Sequence, residues 1–555
     1  MSLRSTIYLL PLLAILGCRG SDETAAVDAT KASAASPASN EYREELLTYA
    51  IDNLNRLEEF GSNEVAHQII QRLQSKNLPE DHLLASWPEP EMLRQVVDRL
   101  NQWIQSQSAP PGWSIDPMLA TVPEKYRQLS EVKDLAAMRF SRFDGYALQE
   151  ATWLRDIAAS NKGELLDELQ RAKNLFDWTV RNIQIEPNDP RRPPQLPWET
   201  LLHGRGTALE RASVFVLLLR QLDIDAAVLA IELPAVAQTP AAAAPPSPQA
   251  VWCVGVLIDK EVYLFDPILG LPIPGSNGVA LNDKGELIFQ PATLKQVAGD
   301  DKLLRRLDAN GTHPYPLKAA EIQHVIALLD ASPNYLAQAM KVLESKLVGA
   351  NKMVLASSPS KQAERWKAAA GIGKVELWLQ PFETIERRRQ LDDRQVRSQL
   401  AAMLPFYAIP SAPLYRGRIL QLKGKLLGET GAMQYFQAAR PSQEELFTSS
   451  ISNEEKLMRS LGKQNASYWA GLITYQRGNY SAAIDYFLRR TFEAYPNGRW
   501  TTGALYNLAR SYEASGQRER AILQYGSNSS SPGYAGDLLR AKWLEELASP
   551  KPPAK

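Results

Sequence analysis

The sequence predicts an α+β protein that is mainly α, with a helical N-terminal region, an α+β core and a C-terminal region of α-helical repeats. Three observations carry this class. Apolar residues recur at helical spacing on both sides of the chain's middle, three β-type runs cluster between residues 226 and 266, and a Gly, Ala, aromatic pattern near the C-terminus returns after 38 residues. With 555 residues, 45% of them hydrophobic, the chain has length for roughly three or four domains. Its 62 Lys and Arg balance 62 Asp and Glu, so no global field favours nucleic acid.

The first 18 residues predict a signal segment. Arg4 supplies a positive start, and Ile7 to Leu16 form an apolar run too short to span a bilayer as a mature helix. The run ends in Ile15-Leu16-Gly17-Cys18, which resembles the lipobox of bacterial lipoproteins. That resemblance implies lipidation at Cys18, a membrane partner through the lipid anchor, and a place in the bacterial cell envelope, facing periplasm or exterior. Residues 19–43 are rich in Ala, Ser and Thr and predict a disordered tether.

Residues 44–162 predict a helical region. Leu47, Ala50, Ile51, Leu54 and Leu57 form one stripe and Leu93, Val96, Val97, Leu100 and Trp103 another, with Pro110-Pro111-Gly112 breaking the chain after the second. A second module spans 163–300. It opens with a helix carrying Leu165, Leu169, Ala172, Leu175, Phe176 and Val180 on one side, followed by an extended loop enforced by five prolines between Pro187 and Pro197. A further helix opens at Gly204-Arg205-Gly206-Thr207, where Thr207 can cap free backbone N–H groups, and runs through Leu209, Ala212, Val216 and Leu219. Strands follow at 226–232, 250–258 and 261–266, the last two joined through Asp259-Lys260 as a hairpin. Between the first two strands lies an uncharged Ala/Pro insertion, 233–250, predicted as an irregular loop.

Helix, Gly-turn, helix, then strands ending in Asp266-Pro267 is similar to the core of the transglutaminase-like superfamily, a papain-related α+β fold. The family pattern places Gly-x-Cys at the helix start, a His-Ala-Trp-type strand next, and Asp-Pro at the end of the following strand. The helix terminus lowers the cysteine pKa, the imidazole takes the proton and the carboxylate holds the imidazole tautomer. The resemblance puts Ala208 at the Cys position, Ala250 in Ala250-Val251-Trp252 at the His position, and Asp266 at the Asp position. The five histidines are His67, His82, His203, His313 and His324, none between 204 and 312. The expectation is therefore a pseudoenzyme that binds a peptide or protein partner in a cleft near Thr207, Ala208, Trp252 and Asp266, without cofactor.

Two alternatives stay open. One is a thiol hydrolase or transamidase that uses Cys253, the only thiol beyond the leader, with His203 and Asp266; the other is a structural envelope protein without a defined ligand. A strand cysteine amid Val, Trp and Leu lacks a helix dipole to ionise it. No spacing among His, Cys and carboxylates suggests a metal site.

Residues 301–460 predict a mixed, mainly helical region, with helices near 319–330 and 333–348 and a strand in KVELWLQP, whereas 351–460 is otherwise hard to assign. In 461–548, Gly478, Ala483 and Phe487 return as Gly516, Ala521 and Tyr525, and a last helix is expected at 533–547. These units resemble tetratricopeptide repeats, stacked helix pairs whose inner groove commonly holds a partner segment.

Overall fold

The computed structural model describes residues 37–60, 62–232, 249–407, 413–448 and 450–548. The leader with Cys18, the tether up to residue 36 and nearly all of the Ala/Pro insertion lie outside the described residues. The architecture is mainly α, with one mixed sheet at its centre. The first helix, Pro37–Leu54, begins inside the stretch expected as a tether. Between Glu41 and Glu45 its described side chains are mostly exposed, and Leu46 is the first of them to be buried, so polar residues extend the helix outward from the predicted stripe. Among the described residues no helix is long and apolar enough to cross a membrane.

The sheet has six strands. β3 (Asp225–Glu232), β4 (Gln249–Ile258), β5 (Glu261–Asp266) and β6 (Leu271–Pro272) run antiparallel in succession. The β4–β5 connection is the expected two-residue hairpin, with φ +48° at Asp259 and +68° at Lys260, the left-handed pair that matches strand twist. On the other side, β9 (Val325–Leu329) pairs antiparallel with β3, and β10 (Ile372–Leu377) pairs parallel with β9. The sheet thus extends into chain beyond residue 300.

Three sequence expectations need correction. The helix expected over 319–330 is a short 3-10 turn, Ala319–Ile322, followed by strand β9. Its five residues, VIALL, are buried without exception, and a run that short has no periodicity to separate strand from helix. The helix expected from residue 164 starts at Glu168, capped by Asp167, which leaves Leu165 61% exposed and off the core stripe. The 333–348 helix is split into Pro333–Leu336 and Gln338–Glu344.

Two small ladders complete the frame. β1 (Gln184–Ile185) pairs parallel with β2 (Arg205–Gly206), and β7 (Pro274–Leu281) pairs antiparallel with β8 (Leu287–Pro291). The helix Ala208–Arg220 packs on β3 and on the helix Glu168–Asn182.

At the C-terminus, Asn453–Gln476 pairs with Tyr480–Phe487 and Thr501–Ala514 with Arg518–Gly526, and Tyr534–Ala548 closes the stack. Gly478 and Gly516 occupy the same left-handed turn position, φ +73° and +74°, and Ala483, Ala521, Phe487 and Tyr525 are fully buried. This is the physical content of the 38-residue recurrence: glycine permits the turn, alanine the close helix crossing. A π-helical turn, Leu488–Glu493, extends the second helix of the first pair.

The stack docks on the central domain through the first helix of each pair. Gly503 N donates to Gln184 Oε1 at 2.8 Å, Gln184 Nε2 donates to Arg499 O at 2.9 Å, and Asn507 Nδ2 donates to Arg181 O at 3.2 Å. A Cβ on Gly536 would stand 1.9 Å from Leu269 O, so only glycine lets Tyr534–Ala548 approach the turn after Asp266 this closely.

Candidate functional site

The helix on which the sequence resemblance places the nucleophile position begins at Ala208. Thr207 is its N-cap: Glu210 N donates to Thr207 Oγ1 at 3.3 Å, and Thr207 N donates to Glu210 Oε2 at 2.8 Å, a closed capping box. Glu210 also receives Gln195 N at 2.7 Å and pairs with Arg192, which fixes the proline-rich loop over this helix end. Thr207 and Ala208 are half-buried. The next turn contributes Arg211, which donates to Ile183 O at 3.2 Å and to Pro267 O at 3.0 Å, locking the helix to the residue that follows Asp266.

Asp266 ends β5, 4% exposed, where burial raises its pKa. Its Oδ1 accepts from Ile268 N at 2.8 Å and Leu269 N at 2.9 Å, the Asx turn expected of an aspartate before proline. Its Oδ2 accepts from the Tyr315 hydroxyl at 3.0 Å. Tyr315 Oη in turn accepts from Trp252 Nε1 at 2.7 Å. Asp266 thus holds a tyrosine and a turn.

Trp252 reaches this network through a bulge. The β3–β4 ladder pairs Leu229 with Cys253 and Ala230 with Val251 and skips Trp252. The skipped residue turns inward, so Trp252 and Cys253 are both buried in succession. Ala250, expected from the sequence at the His position, is half-buried opposite Ile231. Trp252 and Asp266 therefore belong to a packed network, not to the open cleft expected from the sequence.

The alternative constellation is only partly assembled. Cys253 lies near Asp266 and Tyr315, and burial, followed by the Asp266 charge, pushes its thiol well above the ordinary range. His203 closes the helix Pro197–His203, with Gly204 in the left-handed C-cap position. Its ring packs edge-on against Phe406 at 5.3 Å, and burial, then the charges of Arg205, Arg499, Arg192 and Arg388, depress its pKa well below the usual value. Among the described residues no group of three or more His, Cys, Asp or Glu is placed to hold a metal ion.

Sequence reasoning missed Tyr315, which lies 49 residues beyond Asp266 in a segment without periodicity. The available signal was the absence of a histidine for Asp266, which leaves a buried carboxylate in need of another donor.

No curated protein and no solved structure matches the chain. Residues 155–242 match the transglutaminase-like superfamily, a span that contains the Ala208 helix and β3 and ends before Ala250 and Asp266. The chain carries a transglutaminase-like domain at residues 155–242.

Proposed function

We propose that this chain is a non-catalytic binding or scaffolding component whose transglutaminase-like domain has lost acyl transfer, tethered through Cys18 to a bacterial envelope membrane. One observation carries the reading: Ala208 presents a methyl group at the nucleophile position while both oxygens of Asp266 are already engaged. Acyl transfer needs nucleophile and base as one unit, and losing either removes most of the rate. The tetratricopeptide-like helices support a binding role for a peptide or protein partner. Their first helices face the central domain, so the partner surface is assigned to the outer pair, Tyr480–Phe487 and Arg518–Gly526, where Leu523 is largely exposed.

The test is alkylation of Cys253 by iodoacetamide as a function of pH, in a chain beginning at Ser21 and so lacking Cys18. The folded protein should react slowly at neutral pH, with a midpoint above the free-thiol value of about 8.5, and fast once denatured. Rapid modification with a midpoint well below that value, abolished by His203→Ala, would establish a working thiol centre and overturn the reading.

A further inference from the structure

A cavity with about 60 Å³ of room for water-sized contents lies where the N-terminal helices, the Ala208–Arg220 helix and the 330–385 segment meet. Nothing in the transglutaminase-like chemistry uses it. Its walls are aromatic: Trp87, Tyr146, Trp198, Tyr335 and Trp378 are all buried. Three of these form one cluster, with ring centroids 4.7 Å apart for Trp87 and Tyr146, 5.2 Å for Tyr146 and Trp198, and 5.6 Å for Trp87 and Trp198.

Apart from its tyrosines, the ionisable groups of the wall are all carboxylic acids, Glu150, Glu210 and Asp330, set among uncharged polar side chains such as Gln195, Ser213 and Asn334, with no lysine, arginine or histidine among the residues lining it. Two have an arginine behind them. Glu210 pairs with Arg192, and Asp330 Oδ1 receives Arg220 at 3.1 Å. The neighbouring Glu199 pairs likewise with Arg388 at 2.9 Å. Glu150 is the exception. It is 7% exposed, accepts Trp198 N at 2.9 Å, and has no cation within ion-pair distance among the described residues. A buried carboxyl without an ion-pair partner, in a cavity walled by aromatic rings, is suited to receive a cation.

We propose that this cavity is a binding site for a small organic ammonium group, which the aromatic faces surround and Glu150 neutralises. The same fold already uses this pairing at the cavity's edge, where the Arg220 guanidinium lies 4.3 Å from the Tyr335 ring. The ammonium belongs to a free amine or to a lysine side chain of a peptide. The site is independent of whether acyl transfer is lost.

Burial, opposed by the Trp198 N–H, pushes the Glu150 pKa up to about 8; Asp330, Arg220 and Glu199 also act on it, and the buried Tyr335 phenol faces it. The empty site therefore holds a largely neutral acid at pH 7, and an ammonium ligand must displace its proton. Affinity should rise with pH up to about 8, by as much as about tenfold per unit. A neutral ligand that offers acceptors to the unpartnered Trp87 and Trp198 Nε1 groups in the wall would show the opposite trend, because it needs Glu150 protonated.

The experiment titrates the full chain with choline, with its uncharged isostere 3,3-dimethylbutan-1-ol, and with Nα-acetyl-lysine N-methylamide, read by tryptophan fluorescence and calorimetry between about pH 6 and 8. The expected result is saturable binding of a cation, at least about tenfold tighter than the alcohol and weakened about tenfold or more by Glu150→Gln, whose melting temperature confirms folding. Choline alone would identify a free ammonium as the source, the lysine derivative alone a peptide. The proposal is overturned by equal binding of the alcohol, by an unaffected Glu150→Gln, by affinity that falls as pH rises, or by the absence of saturable cation binding.

Discussion

Arg388→Met should destabilise the protein by about 3–5 kcal/mol in urea unfolding at neutral pH, a cost set by the partner left behind rather than by the arginine removed. Arg388 lies in the helix Gln380–Arg389, 0% exposed, and joins three parts of the chain. Its guanidinium donates to Ser86 Oγ at 2.7 Å, to Glu199 Oε1 at 2.9 Å and to Pro194 O at 3.5 Å. Without it, Glu199, 3% exposed, keeps one backbone donor, Leu196 N at 2.9 Å, and no ion-pair partner among the described residues. Adding Glu199→Gln to Arg388→Met removes the orphaned charge. The double variant should therefore regain most of the loss, since a buried pair replaced by neutral groups is often close to neutral in stability. A single variant that costs less than about 1 kcal/mol would mean that the pair is not what holds the 380–389 helix to the proline-rich loop.

The contrast between what the sequence disclosed and what it hid follows from range. The β4–β5 hairpin was legible because two adjacent residues, Asp259 and Lys260, carry the turn, and the helix start at Ala208 because the capping box spans four. The C-terminal stack was legible because glycine, alanine and an aromatic ring are required at the same places in each unit. β9 was not, since VIALL offers five apolar residues and no period. At the candidate site the sequence marked Ala208 and Asp266, but the network around Asp266 depends on Tyr315 and on a bulge at Trp252, neither of which leaves a local pattern. The ammonium cavity was invisible for the same reason: its walls come from segments between residues 87 and 385, and only the folded arrangement shows that Glu150 alone lacks an arginine.

Glu513→Gln should cost about 3–5 kcal/mol at neutral pH, and the cost should shrink as pH falls. Glu513, in the helix Thr501–Ala514 and 2% exposed, is where the C-terminal stack meets the β7–β8 ladder. It accepts from Leu287 N at 2.9 Å, from the Tyr525 hydroxyl at 2.5 Å and from Arg540 at 2.9 Å, with Arg510 at 3.8 Å. Burial alone would raise its pKa; the charges of Arg540 and Arg510 outweigh burial and hold it below the usual carboxylate range. A depressed folded pKa means that the contribution is fully present above the unfolded value of about 4.3 and is lost as pH falls through the folded value. At neutral pH the glutamine keeps the shape but leaves the buried Arg540 without a counter-charge. In acid the wild-type carboxyl is itself neutral, so wild type and variant should converge. Paired urea titrations from neutral to acidic pH measure this directly. A gap that stays constant with pH would assign the loss to the hydrogen bonds from Leu287 and Tyr525 instead of to charge, and would place the acid sensitivity of this interface on Asp177, which Arg181 and Arg510 likewise hold low against the effect of burial.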